Sequence, residues 1–145
     1  MKNLLLSWQV WALLSAAFAA LTAIFAKIGI ENINSDFATF IRTIVILVVV
    51  GALLAMLGGW QSPAEISGRT WTFLILSGLA TGASWLCYFR ALKIGNAAQV
   101  APVDKLSVVL VAIFAFLFLG ERPSLVNWAG IVLIFLGVVL IAQKA

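Results

Sequence analysis

The sequence predicts an all-α membrane protein, a bundle of five transmembrane helices, and three observations carry that expectation. Of 145 residues, 64% are hydrophobic and only 10% charged, with a mean hydropathy of +1.17, whereas soluble domains are roughly 45–50% apolar and about 25% charged. The apolar residues fall in five runs of spanning length, since a hydrocarbon core about 30 Å thick takes roughly 20 helical residues. The charged residues sit singly, mostly at the ends of those runs. Lipid-exposed strands are excluded because each unpaired edge group costs several kcal/mol.

The first run covers 8–28. Lys2, the leucines at 4–6 and Ala17-Phe18-Ala19 imitate a signal peptide with an A-x-A site. The apolar stretch continues past that site to Ile28, so it reads as a retained first helix. Asn32, Asn34, Ser35 and Asp36 form a polar turn, with Ser35 or Asp36 as N-cap of a second helix over 37–57. Gly58-Gly59-Trp60-Gln61-Ser62-Pro63 ends that helix, and 63–69 is the longest loop. A third helix covers 71–92, and Gly95-Asn96 separates it from a fourth over 97–119. Gly120-Glu121-Arg122-Pro123-Ser124 turns the chain into a fifth, 125–141. With connections this short, residues 1–145 read as one domain whose helices pack antiparallel to their predecessors.

Trp8, Trp11, Trp60, Trp71 and Trp128 stand near span ends, as an interfacial aromatic belt requires, while Trp85 lies well inside the third helix. Small residues recur at four-residue spacing: Ala12, Ala16 and Ala20 on the first helix, and Gly78 and Gly82 with Ser77 and Thr81 on the third. Gly130 and Gly137 lie two turns apart on the fifth. Such stripes mark close helix approach, either within the chain, the favoured reading, or against another molecule.

Composition also excludes functions. One cysteine and no histidine rule out an intrachain disulfide and a Cys/His zinc site. Cys87, inside an apolar helix, reads as a small buried hydrophobe. Paired carboxylates, a P-loop and a Ser/His/Asp set are all missing, so neither an enzyme nor a cofactor is expected. The net charge of +4 comes from scattered residues that set topology rather than bind nucleic acid. Five spans put the termini on opposite sides. Lys2, Arg69 and Arg122 face one side; Lys27, Arg90, Lys93 and Lys144 face the other, with Arg42 and Lys105 just inside. The positive-inside rule favours an outer N-terminus and a cytoplasmic C-terminus by a margin small enough to permit both orientations.

Ionisable residues within the membrane are costly, and functional by default. Arg42 lies about six residues into the second helix and Asp104 about seven into the fourth. Both helices start from the same face, so both charges are expected roughly 10 Å deep, close enough in depth to pair. Such a pair either stitches two helices together or lines a polar cavity where a charged solute competes for it. Lys105 is the residue best placed to snorkel to the headgroups. Pro102 frees a carbonyl about one turn earlier, so a kinked or partly unwound fourth helix is expected, with Asn96 and Gln99 on its first turn. Ser84, Trp85 and Tyr88 offer an aromatic wall with a hydroxyl handle, or else pack against neighbouring helices. Glu31, Asp36, Glu65 and Glu121 fall at turns and helix ends, where water solvates them.

Three stretches carry a family resemblance. The first is Phe25-Ala26-Lys27 followed by Phe40-Ile41-Arg42; the second is Trp85-Leu86-Cys87-Tyr88-Phe89-Arg90-Ala91-Leu92-Lys93. The third is Phe116-Leu117-Phe118-Leu119-Gly120-Glu121-Arg122-Pro123, with Trp128-Ala129-Gly130 and Leu133-Ile134-Phe135-Leu136-Gly137 behind it. Together they resemble one EamA unit of the drug/metabolite transporter superfamily, of the five-helix bacterial/archaeal transporter subgroup. Typical members carry two such units in ten helices and move small metabolites or drugs. The resemblance implies a multi-pass protein of the cell (inner) membrane working as an antiparallel homodimer, because fused five-helix units necessarily lie inverted. The four-helix exporters of the superfamily use a glutamate in helix one; residues 8–28 contain no acid, so coupling through that position is not implied.

The expected function is a secondary transporter, or transporter half, moving a small organic solute by alternating access. Its expected solute-binding residues are Arg42, Asp104, Lys105, Trp85 and Tyr88, and its expected partners are the lipid bilayer, a small-molecule substrate and a second copy of the chain. The alternative is a non-transporting membrane subunit that stabilises or regulates a partner complex. A stoichiometric foreign partner in mild detergent favours the alternative, and a homodimer favours the transporter.

Overall fold

The computed structural model describes residues 7–143. The signal-like leucines at 4–6 and the topology lysines Lys2 and Lys144 lie outside the described residues. Every described element is helical. Helices α1 (Trp8–Gly29), α2 (Ser35–Leu57) and α3 (Gly68–Ile94) are continuous; α4 (Ala97–Asp104), α5 (Leu106–Phe114) and a π-helical turn (Ala115–Leu119) together make the fourth span; α6 (Leu125–Ala142) is the fifth. All five spans are long and apolar enough to cross a membrane. A short 3-10 turn, Pro63–Glu65, interrupts the longest loop.

Local chemistry explains the boundaries. The N-cap of α2 is Asn34, one residue earlier than expected: its side-chain oxygen accepts from the backbone N–H of Asp36 (2.8 Å) and of Phe37 (3.2 Å). An Asx side chain at that position reaches the second and third orphan donors, so Ser35 and Asp36 fall inside the first turn. Ser67 caps α3 through the N–H of Thr70 (3.1 Å), and Ser124 caps α6 through that of Asn127 (3.2 Å). At the other end of α2, Gly58 takes a left-handed conformation (φ 63°) and the N–H of Gly59 returns to the carbonyl of Leu54 (3.0 Å), a Schellman closure. Gly120 (φ 69°) also turns left-handed at the end of the fourth span, where the wider π-helical spacing lets the N–H of Glu121 reach back six residues to the carbonyl of Ala115 (3.2 Å).

The chain divides into two compact units, the boundary falling within α1: residues up to Ile24 with those from Ile94 onward, and Phe25–Lys93. In the first, the fourth span packs on α6, with Phe116 edge-on to Trp128 at 6.2 Å between centroids, and Ala23, Ala115 and Val138 are buried. In the second, α2 and α3 run antiparallel, since Asp36 at the start of one meets Arg90 near the end of the other. Its core is Ile30, Ala38, Thr39, Phe89 and Leu92, with Ile30 and Leu92 at 1% and 0% exposure. Most other large apolar side chains are exposed. In water that would be ruinous, but lipid tails solvate leucine and phenylalanine as well as a core does.

Two expectations fail. A Cβ added at Gly78, Gly82, Gly130 or Gly137 would meet nothing within 4 Å among the described residues of its own unit, so these stripes do not mark close approach there. Cys87 is exposed rather than buried. It stands two residues from both Trp85 and Phe89, so it faces away from the side of α3 that packs.

Candidate functional site

In the unit formed by Phe25–Lys93, the site centres on Arg42. Its guanidinium carbon lies 4.2 Å from the centroid of Trp85 and 5.3 Å from that of Phe89. Trp85 and Phe89 are one helical turn apart and therefore share a face of α3. Phe89 is buried in the core and Trp85 half-buried, so the wall under the arginine is held in place. Tyr88, also half-buried, extends the wall and lies within electrostatic reach of Arg42. Ser84 is exposed. A guanidinium over an aromatic face gains roughly 0.5–2 kcal/mol, more as water is removed.

Below this wall, three cations hold the ends of the helices together. Arg90 grips Asp36 through two parallel bonds, Nε to Oδ1 at 2.9 Å and Nη2 to Oδ2 at 2.6 Å. Lys93 Nζ donates to three carbonyls that follow α1: Ile30 (2.5 Å), Glu31 (2.8 Å) and Ile33 (3.0 Å). Lys27, in the last turn of α1, donates to the carbonyl of Leu92 at the end of α3 (2.7 Å). Each helix thus lends a lysine to the other's C-terminus, where orphan carbonyls need donors.

The other unit holds Asp104 and Lys105, paired side by side (Oδ2 to Nζ, 3.2 Å). Adjacent residues on a regular helix point apart. These two meet because the helix is interrupted at Lys105 (φ −70°, ψ −3°), three residues after Pro102. The N–H of Lys105 bonds the carbonyl of Pro102, and that of Val108 the carbonyl of Lys105, both at 3.0 Å and both with the tighter three-residue spacing. The expected unwinding of the fourth helix is therefore present. At the end of the same span, Phe116, Gly120, Glu121, Arg122 and Pro123 line a cavity of about 450 Å³.

Of the five expected site residues, Arg42 comes together with Trp85 and Tyr88, and Asp104 with Lys105. The expected Arg42–Asp104 pair joins residues of different units, and each member has a partner inside its own. The sequence pointed to Asp36 as solvated and to Arg90 as a topology charge, and it left Phe89 out of the wall. The signals were present: antiparallel α2 and α3 put the start of one against the end of the other, and Phe89 follows Trp85 by one turn.

Five apolar spans, one of them holding a half-buried arginine stacked on aromatic rings, define a multi-pass membrane protein. The chain matches the EamA-like transporter family across residues 6–143 and belongs to it. It is similar, at 68% identity over 136 residues, to an uncharacterized transporter encoded in the cobO 3′ region of Sinorhizobium sp., with 94% of this chain and 96% of that one covered. It is 28% identical over 141 residues to the uncharacterized transporter YxxF of Bacillus subtilis, a match covering 97% of this chain and 44% of the Bacillus protein. An uncharacterized protein of Methanocaldococcus jannaschii is 28% identical over 133 residues, with 92% and 94% covered. No solved structure matches the chain significantly.

Proposed function

We propose that this protein is a secondary transporter, or a transporter half working as a homodimer, that moves a small organic metabolite or drug across the inner membrane by alternating access. The observation that carries the reading is Arg42, a charge kept inside a spanning helix against an aromatic wall in a chain of the EamA-like transporter family. Charge is costly at that depth and persists where it serves a pathway. Trp85 and Tyr88 supply the wall that a solute slides over. Asp104 and Lys105 supply a charged pair at an interrupted helix, the construction by which transporters present polar backbone to cargo.

The half-transporter reading draws support from the Bacillus relative. The match occupies less than half of the Bacillus relative, and an odd number of spans inverts any second unit. The small charge bias between the two sides accords with insertion in both orientations, and reporters at the two termini test it: mixed signals support an antiparallel dimer, and a single orientation removes it. Counterflow of candidate metabolites in proteoliposomes tests transport itself. Saturable flux is expected, and Asp104→Asn is expected to lower it. Absence of flux for every solute and in every orientation sinks the proposal.

A further inference from the structure

We infer that Arg42 is the receptor for a single carboxylate, and that the solute this protein handles is a small organic monoanion. The inference deepens the transporter reading and rests on it for the claim that the bound anion is cargo.

Arg42 stands seven residues into α2, about 10 Å along the helix axis from Ser35. Among the described residues of its unit, no carboxylate and no hydrogen-bond acceptor is recorded for its guanidinium; its partners are the faces of Trp85 and Phe89. Stacking on a ring face offsets part of the charge but accepts none of the in-plane N–H groups, so the planar edge of the fork remains for a ligand. That edge matches a carboxylate in two parallel hydrogen bonds, and charge-assisted pairs of this kind strengthen where water is excluded.

The neighbouring groups set the charge of the ligand. Asp36 is taken by Arg90, and Glu31 and Glu65 lie at turns, so no acid of the unit competes at Arg42. The other cations are committed or lie elsewhere: Lys27 donates to the carbonyl of Leu92, Lys93 to three carbonyls and Arg90 to Asp36, while Arg69, near the start of α3, stands about 24 Å along that helix from Trp85. One cation at the wall selects one negative charge. A second anionic group on the solute would enter the apolar layer uncompensated, at a cost of several kcal/mol. The wall itself favours a solute whose remaining part is apolar or planar, since Trp85 and Phe89 present ring faces to Arg42.

The test uses the full-length protein in nanodiscs of phosphatidylcholine, titrated with acetate, lactate and benzoate, each against its neutral amide, while tryptophan fluorescence is followed. At least one acid is expected to give a saturable change that its amide does not, with Trp85→Phe removing the signal. Arg42→Gln is expected to weaken that acid by about 10-fold or more, and Arg42→Lys, which keeps charge but loses the fork, by less. If Arg42→Gln does not survive purification, Arg42→Lys decides. Equal responses to acids and amides, no response to any acid, or acid affinity unchanged in these variants overturns the inference. Phosphatidylglycerol added to the discs separates a lipid phosphate from a free solute: unchanged acid affinity supports the solute, and its abolition overturns it. Counterflow keeps the two readings apart. Flux of neutral or cationic solutes that ignores Arg42 removes the anion assignment and leaves a transporter; acid binding without flux of any solute does the reverse.

Discussion

Arg90 and Asp36 meet side-on, Nε against Oδ1 at 2.9 Å and Nη2 against Oδ2 at 2.6 Å, and so tie the start of α2 to the end of α3. Both ends are electrostatically apt. An acid in the first turn of α2 meets the positive end of that helix dipole, and a base near the end of α3 meets the negative end of its own. Both side chains are exposed, at 63% and 42%, so screening limits what the pair contributes.

Asp36→Asn and Arg90→Gln are each expected to lower thermal stability in micelles slightly, with the deficit shrinking as salt is added. The exchange of the two residues restores the pairing but reverses both dipole interactions, so it recovers only part of the loss. Full recovery would show that the dipoles contribute nothing here, and loss unaffected by salt would show that the pair acts other than by charge. Double-mutant unfolding measurements over a salt series separate these cases.

Lys93 has more acceptors to satisfy than Arg90. Its ammonium group fills the carbonyls of Ile30, Glu31 and Ile33, which follow α1 and lack helical partners. Lys93→Met keeps the aliphatic stem and removes the donors, leaving those carbonyls without them beside the buried Ile30. The expected loss is about 1.5–3 kcal/mol, the range for hydrogen bonds to a charged group, read as a shift in unfolding by denaturing detergent. Lys93→Arg is expected to restore little, because a planar fork does not converge on three carbonyls as a rotating ammonium does. Stability unchanged in Lys93→Met would show that water replaces the lysine freely.

How much of this was legible in the sequence depends on which solvent each residue answers to. The five spans were plain, since lipid enforces length and hydropathy along every one of them, and Gly58 and Gly120 marked two ends by the backbone conformation they alone adopt easily. The break at Lys105 was announced by Pro102. The wall under Arg42 was half legible: Trp85 and Tyr88 stood out as polar-tipped aromatics, whereas Phe89 reads like any apolar residue until its face is known. The lysine exchange between α1 and α3 was illegible, because Lys27 and Lys93 look identical to the scattered cations that merely set topology. Cys87 was misplaced for the same reason: in lipid, an apolar helix does not reveal which of its faces is packed.

Gly78 and Gly82 test the meaning of the small-residue stripes. An added methyl meets nothing within 4 Å at either position, and replacing a helix-interior glycine by alanine gains roughly 0.5–1 kcal/mol. Gly78→Ala and Gly82→Ala are therefore expected to leave the monomer in micelles equally or more stable. A loss above about 1 kcal/mol would place another part of the chain against that face. Dimer formation, followed by crosslinking in lipid, is a separate readout: if it falls while monomer stability rises, the stripe is where a second copy docks.

Pro102→Ala sets stability against function. The proline has no N–H to give to the carbonyl of Ala98, four residues earlier, and the helix is interrupted at Lys105 three residues on. Alanine restores the donor and allows Ala97–Leu119 to run closer to continuous, which turns Asp104 and Lys105 away from one another as neighbours on a regular helix. Amide exchange at Lys105 and Leu106 is expected to slow and unfolding to become harder, by about 1 kcal/mol or more. Counterflow is expected to fall at the same time, because the polar backbone and the 3.2 Å Asp104–Lys105 pair both depend on the interruption. A variant that exchanges more slowly yet transports as before would show that the break serves packing alone, and one whose exchange is unchanged would show that the interruption does not originate at the proline.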